Sequence, residues 1–359
     1  MARLARCEII DSSEPTVVHV INRTVRRCFL LGDDPISGQN FDHRKQWIED
    51  LLERFAGLFG IELLCYSILS NHYHLILRTR PEIVAQWDDY EVSRRWLLIC
   101  PRRKINGQAA IPTQSEIDSI RNCPTKIAEI RKRLSDVSWW MRLLNQRVAQ
   151  RANRDDEQCG RFWQDRFRAI RIDDEASLLA CAAYVDLNPI RAGLAQTIDR
   201  SEFTSIRLRI DSDRQAKHQS DRIRQNGQPA RYRRDAFLAK LTIDERKDEV
   251  GVAESVSGHR LSDKGFLPIS NAAYVELLEW TAIHRTKQKS LGDSHRDLPD
   301  ALSQIGISHE AWRSLVDHFN TIFGHVAASL ARLETCRSLQ TNRHFRIRPE
   351  ARRILASAA

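Results

Sequence analysis

The chain has 359 residues, 42% of them hydrophobic, and its 56 Lys and Arg exceed its 47 Asp and Glu for a formal charge of +9 and a pI near 9.3. That is more chain than one average domain needs, with enough apolar residues for a real core, and the basic excess favours an anionic partner, nucleic acid being the commonest. Its eight scattered cysteines include no CxxC pair, which argues against a zinc ribbon and fits a reducing cytoplasm, while the absence of an apolar signal core in "MARLARCEIIDSSEP" and of any long uncharged run predicts a soluble, intracellular protein with no membrane partner.

"TVVHVINRTV" (Thr16–Val25) is rich in β-branched residues and predicts a strand. A helix follows over "DHRKQWIEDLLERFAGLFG", where Trp47, Leu51 and Phe55 recur at i, i+4, i+8 and Gly60 is the expected stop. "IELLCYSILS" and "HYHLILRT" are further strands, turning near Asn71. The order strand, helix, strand, strand predicts an α+β fold with an antiparallel sheet.

From about Pro81 to Arg154 the pattern is helical, interrupted by a loop-like "INGQAAIPTQSE". "SWWMRLLNQRVAQRANR" predicts an amphipathic helix capped by Ser138, with Trp140, Leu144 and Val148 on one face and Arg147, Arg151 and Arg154 elsewhere. "GRFWQDRFRAIRI" reads as extended and "DEASLLACAAYVDLNPIRAGLA" as a helix begun by Asp or Glu. Composition then divides the chain into 1–204, a polar and basic linker or arm over 205–250, and a helical accessory region over 251–359. In the last of these, "SQIGISHEAWRSLVDHF" suggests a helix-turn-helix.

The chemistry starts at "SNHYHLILRT" (Ser70–Thr79). A strand points residues i and i+2 to one face, so His72 and His74 project together and Tyr73 projects away. Two imidazoles on a rigid strand make half a metal site; alone, such a pair is more often surface or hydrogen-bonded histidines, and a second signal is needed. A second signal lies in "AAYVDLNPIRAGL", where Tyr184 and Asn188 stand four apart on a helix. A tyrosine hydroxyl attacks a phosphodiester when a metal polarises the phosphate and sets it in line. Asn188 offers a carbonyl oxygen as a third ligand, or it caps "PIRAGL" instead.

Together "HVINRTVRRCFLL", "LSNHYHLIL", "SWWMRLLNQRVAQRANR", "GRFWQDRFRAI" and "YVDLNPIRAGL" resemble the single-tyrosine HUH transposases, and among them the REP-associated tyrosine transposases, over roughly Val17 to Ala195. Ser70 stands where that family usually carries proline. The resemblance implies an RRM-like, ferredoxin-like palm and a cytoplasmic, nucleoid-associated protein. It implies Mg²⁺ or Mn²⁺ held by His72, His74 and Asn188, with Tyr184 as nucleophile on single-stranded, hairpin-bearing DNA such as REP-like repeats or element ends. The implied product is a 5′-phosphotyrosine and a free 3′-hydroxyl, in a monomer or homodimer.

The expected DNA contacts are Arg23, Arg26 and Arg27 after the first strand, Arg94, Arg95, Arg102, Arg103 and Lys104 around Trp96, and Arg161, Arg166 and Arg168 beside Phe162, Trp163 and Phe167. Cations for phosphates interleaved with aromatics for bases suit a single strand. The competing reading is a protein of the same fold that binds structured DNA or RNA without cutting it.

Overall fold

The computed structural model describes residues 9–11, 13–106, 108–226, 233–243, 255, 257–286, 299–304, 307–339 and 346–356. Its centre is a sheet built from β1 (Val17–Arg23), β2 (Ile61–Ile68) and β3 (His72–Thr79), with α1 (His43–Ala56) crossing between the first two. Then come α2 (Pro81–Gln86), α3 (Asp89–Ile99), a small hairpin of β4 (Lys104–Ile105) and β5 (Gln108–Ala109), α4 (Gln114–Arg121), α5 (Pro124–Leu134) and α6 (Val137–Asp155). β6 (Arg168–Ile172) returns the chain to the sheet, and α7 (Glu175–Asp186), α8 (Asn188–Arg191) and α9 (Ser205–Asn226) follow. α10 (Asn271–Thr286), α11 (Asp300–Gln304), α12 (His309–Ile322), β7 (Val326–Ala327), α13 (Leu330–Leu339) and α14 (Pro349–Ala356) complete it.

The sheet order is β2-β3-β1-β6-β7, antiparallel except where β7 runs parallel to β6. Strand alternation divides the core in two. Val18, Val20, Tyr73, Leu75 and Leu77 face α1, α3 to α6. Ile76, Ile170 and Ile172 face α7 and the C-terminal helices.

Local chemistry revises several expectations. α6 is capped by Asp136, whose carboxylate accepts from the Ser138 amide at 2.6 Å, not by Ser138. Trp140, Leu144 and Val148 do share its buried face. The buried stripe of α1 is Ile48, Leu52 and Phe55, with Trp47 and Leu51 only half-buried, and the helix ends at Gly57. Gly60 serves close approach instead, since a Cβ there would sit 2.0 Å from Val84 Cγ2.

The basic segment after 205 is not simply a linker. Its first 22 residues form α9. Arg209 is buried and donates to the carbonyls of Leu64 and Ala239, both at 2.9 Å, which fastens the helix to β2. Residues 227–232 and 244–250 of that segment lie outside the described residues. The C-terminal region is not purely helical, because β7 joins the sheet beside β6. The proposed helix-turn-helix falls on α11 and α12, and residues 305–306 between them lie outside the described residues.

Asp186 ties the end of α7 to this C-terminal half. It is fully buried and accepts from Ser205 Oγ at 2.6 Å, Tyr274 Oη at 2.8 Å and the Ile206 amide at 3.1 Å. Burial pushes its carboxyl above the usual range, and the three donors partly offset that. Asp186→Ala would leave the Tyr274 hydroxyl and the Ile206 amide without their acceptor, while Ser205 keeps the Tyr66 carbonyl at 3.3 Å. The expected loss is about 2 kcal/mol at roughly 1 kcal/mol or more per donor, read as a lower midpoint in urea denaturation.

Candidate active site

The antiparallel register of β1 and β3 pairs Arg23 with His72, Asn22 with Tyr73 and Ile21 with His74. His72 and His74 therefore share the face that α7 covers, as the alternation predicts. His19, two residues before Ile21 on β1, lies on that face too. Its Nε2 is 2.9 Å from His74 Nδ1, and the two rings stack with centroids 5.1 Å apart. His72 and His74 ring centroids are 5.0 Å apart. Tyr184, near the end of α7, sets its ring at 5.4 Å from His74 and 5.7 Å from His19, nearly perpendicular to both. The phenol and the paired histidines, over a hundred residues apart in sequence, meet in one place.

The turn that aims His72 is tightly seated. Gly32 packs against Ser70, where a Cβ would lie 2.5 Å from Ser70 Oγ, and the Leu31 amide donates to the Ser70 carbonyl at 2.8 Å. Arg26 and Arg27 adopt φ of 51° and 61°, a left-handed pair that costs about 1–2 kcal/mol per residue. Asn71 Nδ2 donates to the Arg27 carbonyl at 3.1 Å, which turns Asn71 Oδ1 toward His72 Nδ1 at 2.6 Å. A carbonyl only accepts, so His72 carries its proton on Nδ1 and its Nε2 lone pair is bare.

The cluster is electropositive. Burial, then Arg23, Arg191 and Arg27, hold His72 down at about 4. Burial with Arg168 holds His19 at about 3, and burial, the neighbouring histidines, Arg191 and Arg23 push His74 well below the ordinary histidine range. All three imidazoles are neutral at pH 7. The Arg191 guanidinium stands 4.3 Å above the Tyr184 ring.

His19, Arg191, Phe319 and Asn320 are the residues that sequence reasoning missed. Asn320 Nδ2 donates to the Tyr184 hydroxyl, and the Phe319 ring lies 5.9 Å from the Tyr184 ring. α12 thus covers the tyrosine, which is 6% exposed. Arg191 was within reach as the cation one helical stretch beyond Tyr184, and His19 as a histidine already inside a predicted strand.

Does this donor set suit a divalent cation? His72 offers a bare Nε2, and His74 Nε2 is buried with no hydrogen-bond partner. Two imidazole nitrogens fit half of such a site. Asn188 does not cap α8, which has no side-chain cap, so its alternative reading falls. It is buried with an unpartnered amide nitrogen, and it makes no hydrogen bond to either imidazole. Among the described residues no group of three His, Cys, Asp or Glu has the arrangement of a metal site. The residues fit a cation that completes its coordination with an amide oxygen or with oxygens of an anionic substrate.

The predicted DNA-binding arginines disperse. Arg23 and Arg27 flank His72, and Arg26 is exposed beside them. Arg94 and Arg95 are occupied by Glu91 at 2.7 and 2.6 Å, and Arg95 also donates to the Gly57 and Leu58 carbonyls and lies 4.1 Å over Trp87. Arg95 ties α3 to the end of α1 while Arg94 is paired within α3, both on the opposite side of the sheet from Tyr184. Arg102 donates to Ser119 and Arg103 pairs with Glu116 at 3.0 Å. Lys104 is exposed beside a basic groove of about 680 Å³ with Arg54, Arg147, Arg151 and Arg154. Arg168 donates to the Asn320 and Phe323 carbonyls at 3.1 Å and so holds the end of α12. Arg161 and Arg166 are exposed on the α6 side, with Gln164 and Asp165 beside them.

No helix among the described residues is long and apolar enough to cross a membrane. No protein-family model and no curated protein matches the chain. A solved structure of a REP-associated tyrosine transposase bound to a REP hairpin is similar to it, at 15% identity over 57% of this chain and 82% of that chain, with a TM-score of 0.32.

Proposed function

We propose that this chain cleaves and rejoins single-stranded, hairpin-bearing DNA through Tyr184. The observation that carries the reading is the convergence of the Tyr184 ring with His74, whose Nε2 has no protein partner, and with His72 beside His74. The Tyr184 oxygen attacks phosphorus, the bond to the 3′-oxygen breaks, and the phenol proton is balanced by one gained at that oxygen. A 5′-phosphotyrosine and a 3′-hydroxyl result, and attack by another 3′-hydroxyl reverses the step. Mg²⁺ or Mn²⁺ held by His72 and His74, with Asn188 as the candidate third ligand, would supply Lewis-acid polarisation of the phosphate. Arg23, Arg27 and Arg191 face the negative charge of that phosphate.

The test is a labelled single-stranded hairpin oligonucleotide incubated with the protein and Mn²⁺, then run on a denaturing gel. A covalent protein–DNA band that needs Mn²⁺ is the expected result. Tight binding with no band on any hairpin substrate would favour a non-cutting binder.

The cover over Tyr184 bears on this assay. A strand reaches the phenol only when the α12 cover moves, and the Asn320 bond is the one that ties that cover to the phenol itself, beside the Arg168 and Arg191 bonds to α12 carbonyls. Removing one hydrogen bond worth about 1 kcal/mol raises an open population about fivefold. Asn320→Ala should therefore form adduct several-fold faster than the parent at equal DNA occupancy, measured by quenched time points.

A further inference from the structure

We infer that the groove on the α6 side of the sheet is a nucleobase pocket, which takes one unpaired base of the same strand whose phosphate Tyr184 attacks. This rests on the strand-transferase reading for the identity of that strand. The pocket itself stands on separate observations.

The first is position. At the end of β1 and β3, Arg23 and His72 pair on the tyrosine side, and the next pair, Asn22 and Tyr73, points to the α6 side. A strand bound over Arg23 and Arg27 needs only to pass that sheet end to reach the groove. The segment after α6 closes it there: the Gln164 amide donates to the Arg23 carbonyl at 2.8 Å, and Thr24 bridges to Trp163.

The second is construction. The groove encloses about 680 Å³, within the range of sites for small organic groups. Trp139 and Trp163 form aromatic walls, both half-buried. Asn145 Oδ1 accepts from Asn22 Nδ2 at 2.9 Å and from the buried Tyr73 hydroxyl at 2.6 Å. Both lone pairs of that oxygen are used, which fixes the amide of this groove-lining residue, and among the described residues its NH₂ makes no hydrogen bond. The Asn145 carbonyl accepts from Trp163 Nε1 at 2.9 Å, so one residue orients both the indole and the free donor. An NH₂ at an aromatic wall suits the acceptor edge of a stacked base.

The third is charge. Arg142, Arg161 and Arg166 are exposed on the rim, and among the described residues none of the three has an acidic partner. Asp165 is the one acid in the lining. A bare phosphate has no use for two indoles, and an apolar ligand has none for three guanidiniums. A nucleotide uses both.

The experiment uses full-length Tyr184→Phe protein without metal, and a fluorescent hairpin oligonucleotide with unpaired flanks. Each unpaired base is replaced in turn by an abasic site and the Kd is read by anisotropy. One position should lose about tenfold or more in affinity. That loss should vanish in Asn145→Asp, which keeps the oxygen that Asn22 and Tyr73 use and replaces the donor by an acceptor. Should that variant unfold, Arg161→Ala with Arg166→Ala, both exposed, should lower the salt slope of binding by about two.

A flat abasic profile, the same profile in Asn145→Asp, or an unchanged salt slope overturns the pocket. Tighter binding of the ribonucleotide version overturns its assignment to DNA. Because no cleavage is read, the two readings fail separately. An abasic response without any adduct keeps the pocket and sinks the transferase. Adduct with a flat profile does the reverse.

Discussion

Tyr184→Phe protein should form no covalent adduct with hairpin DNA in Mn²⁺, while binding that DNA at least as tightly as the parent and at most about fivefold tighter, since only the Asn320 bond is lost. The substitution removes one oxygen from a ring otherwise held by His74, His19, Phe319 and Arg191. Packing survives, so the fold and the DNA surface stay. Only the Asn320 bond is lost, at about 1 kcal/mol. Loss of a nucleophile costs on the order of 10³-fold or more in rate, which falls below detection in an end-point gel. The double change His72→Ala with His74→Ala should give the same blank gel for a different reason, with Mn²⁺ affinity lost as well. An adduct that survives Tyr184→Phe assigns the nucleophile to another residue, and the convergence at Tyr184 would then be packing alone.

Much of that cluster was legible in sequence because it follows from short-range periodicity. The HxH on a β-rich run has to place His72 and His74 on one face, and β3 does so. Tyr184 was legible as a residue but not as a direction. Every residue of α7 from Ser177 to Asp186 is buried, so the helix has no polar side by which sequence could tell sheet from cover. His19 needed the register, since only the pairing of Ile21 with His74 brings it diagonal to His74. Phe319 and Asn320 lie 135 and 136 residues beyond Tyr184, and nothing local marks α12 as the element that closes over it.

The arginines show a different failure. Glu91 stands three and four residues before Arg94 and Arg95, a spacing that pairs them on a helix, so both were already occupied in the sequence itself. Counting cations without their i,i+3 and i,i+4 acids overstated the phosphate-binding face. Arg161 has Glu157 and Asp165 four residues to either side, but the segment after α6 is not helical, so that spacing does not pair them and Arg161 and Arg166 keep their exposure.

The buried imidazoles give the second large effect, on stability in acid. His19, His72 and His74 are neutral in the fold because burial holds them at about 3, about 4 and well below the usual range respectively, with nearby arginines next for His19 and His72, and the neighbouring histidines and then arginines next for His74. Unfolded, each titrates near 6.5. Between those limits the unfolded chain binds more protons than the folded one, so stability rises with pH through the window and is fully present above about pH 7. It is lost as pH falls below 6.5, at roughly 1.4 kcal/mol per unit per imidazole. From pH 7 to pH 5 the three together remove about 5 kcal/mol, a large fraction of what a domain has. Urea midpoints of the metal-free protein across that range should fall accordingly, and His19→Gln should remove about a third of the slope. Midpoints that stay level from pH 7 to pH 5 would mean the imidazoles are hydrated or charged in the fold. That outcome would also weaken the cation reading, because an imidazole of His72 or His74 can bind a cation only while its ring resists protonation.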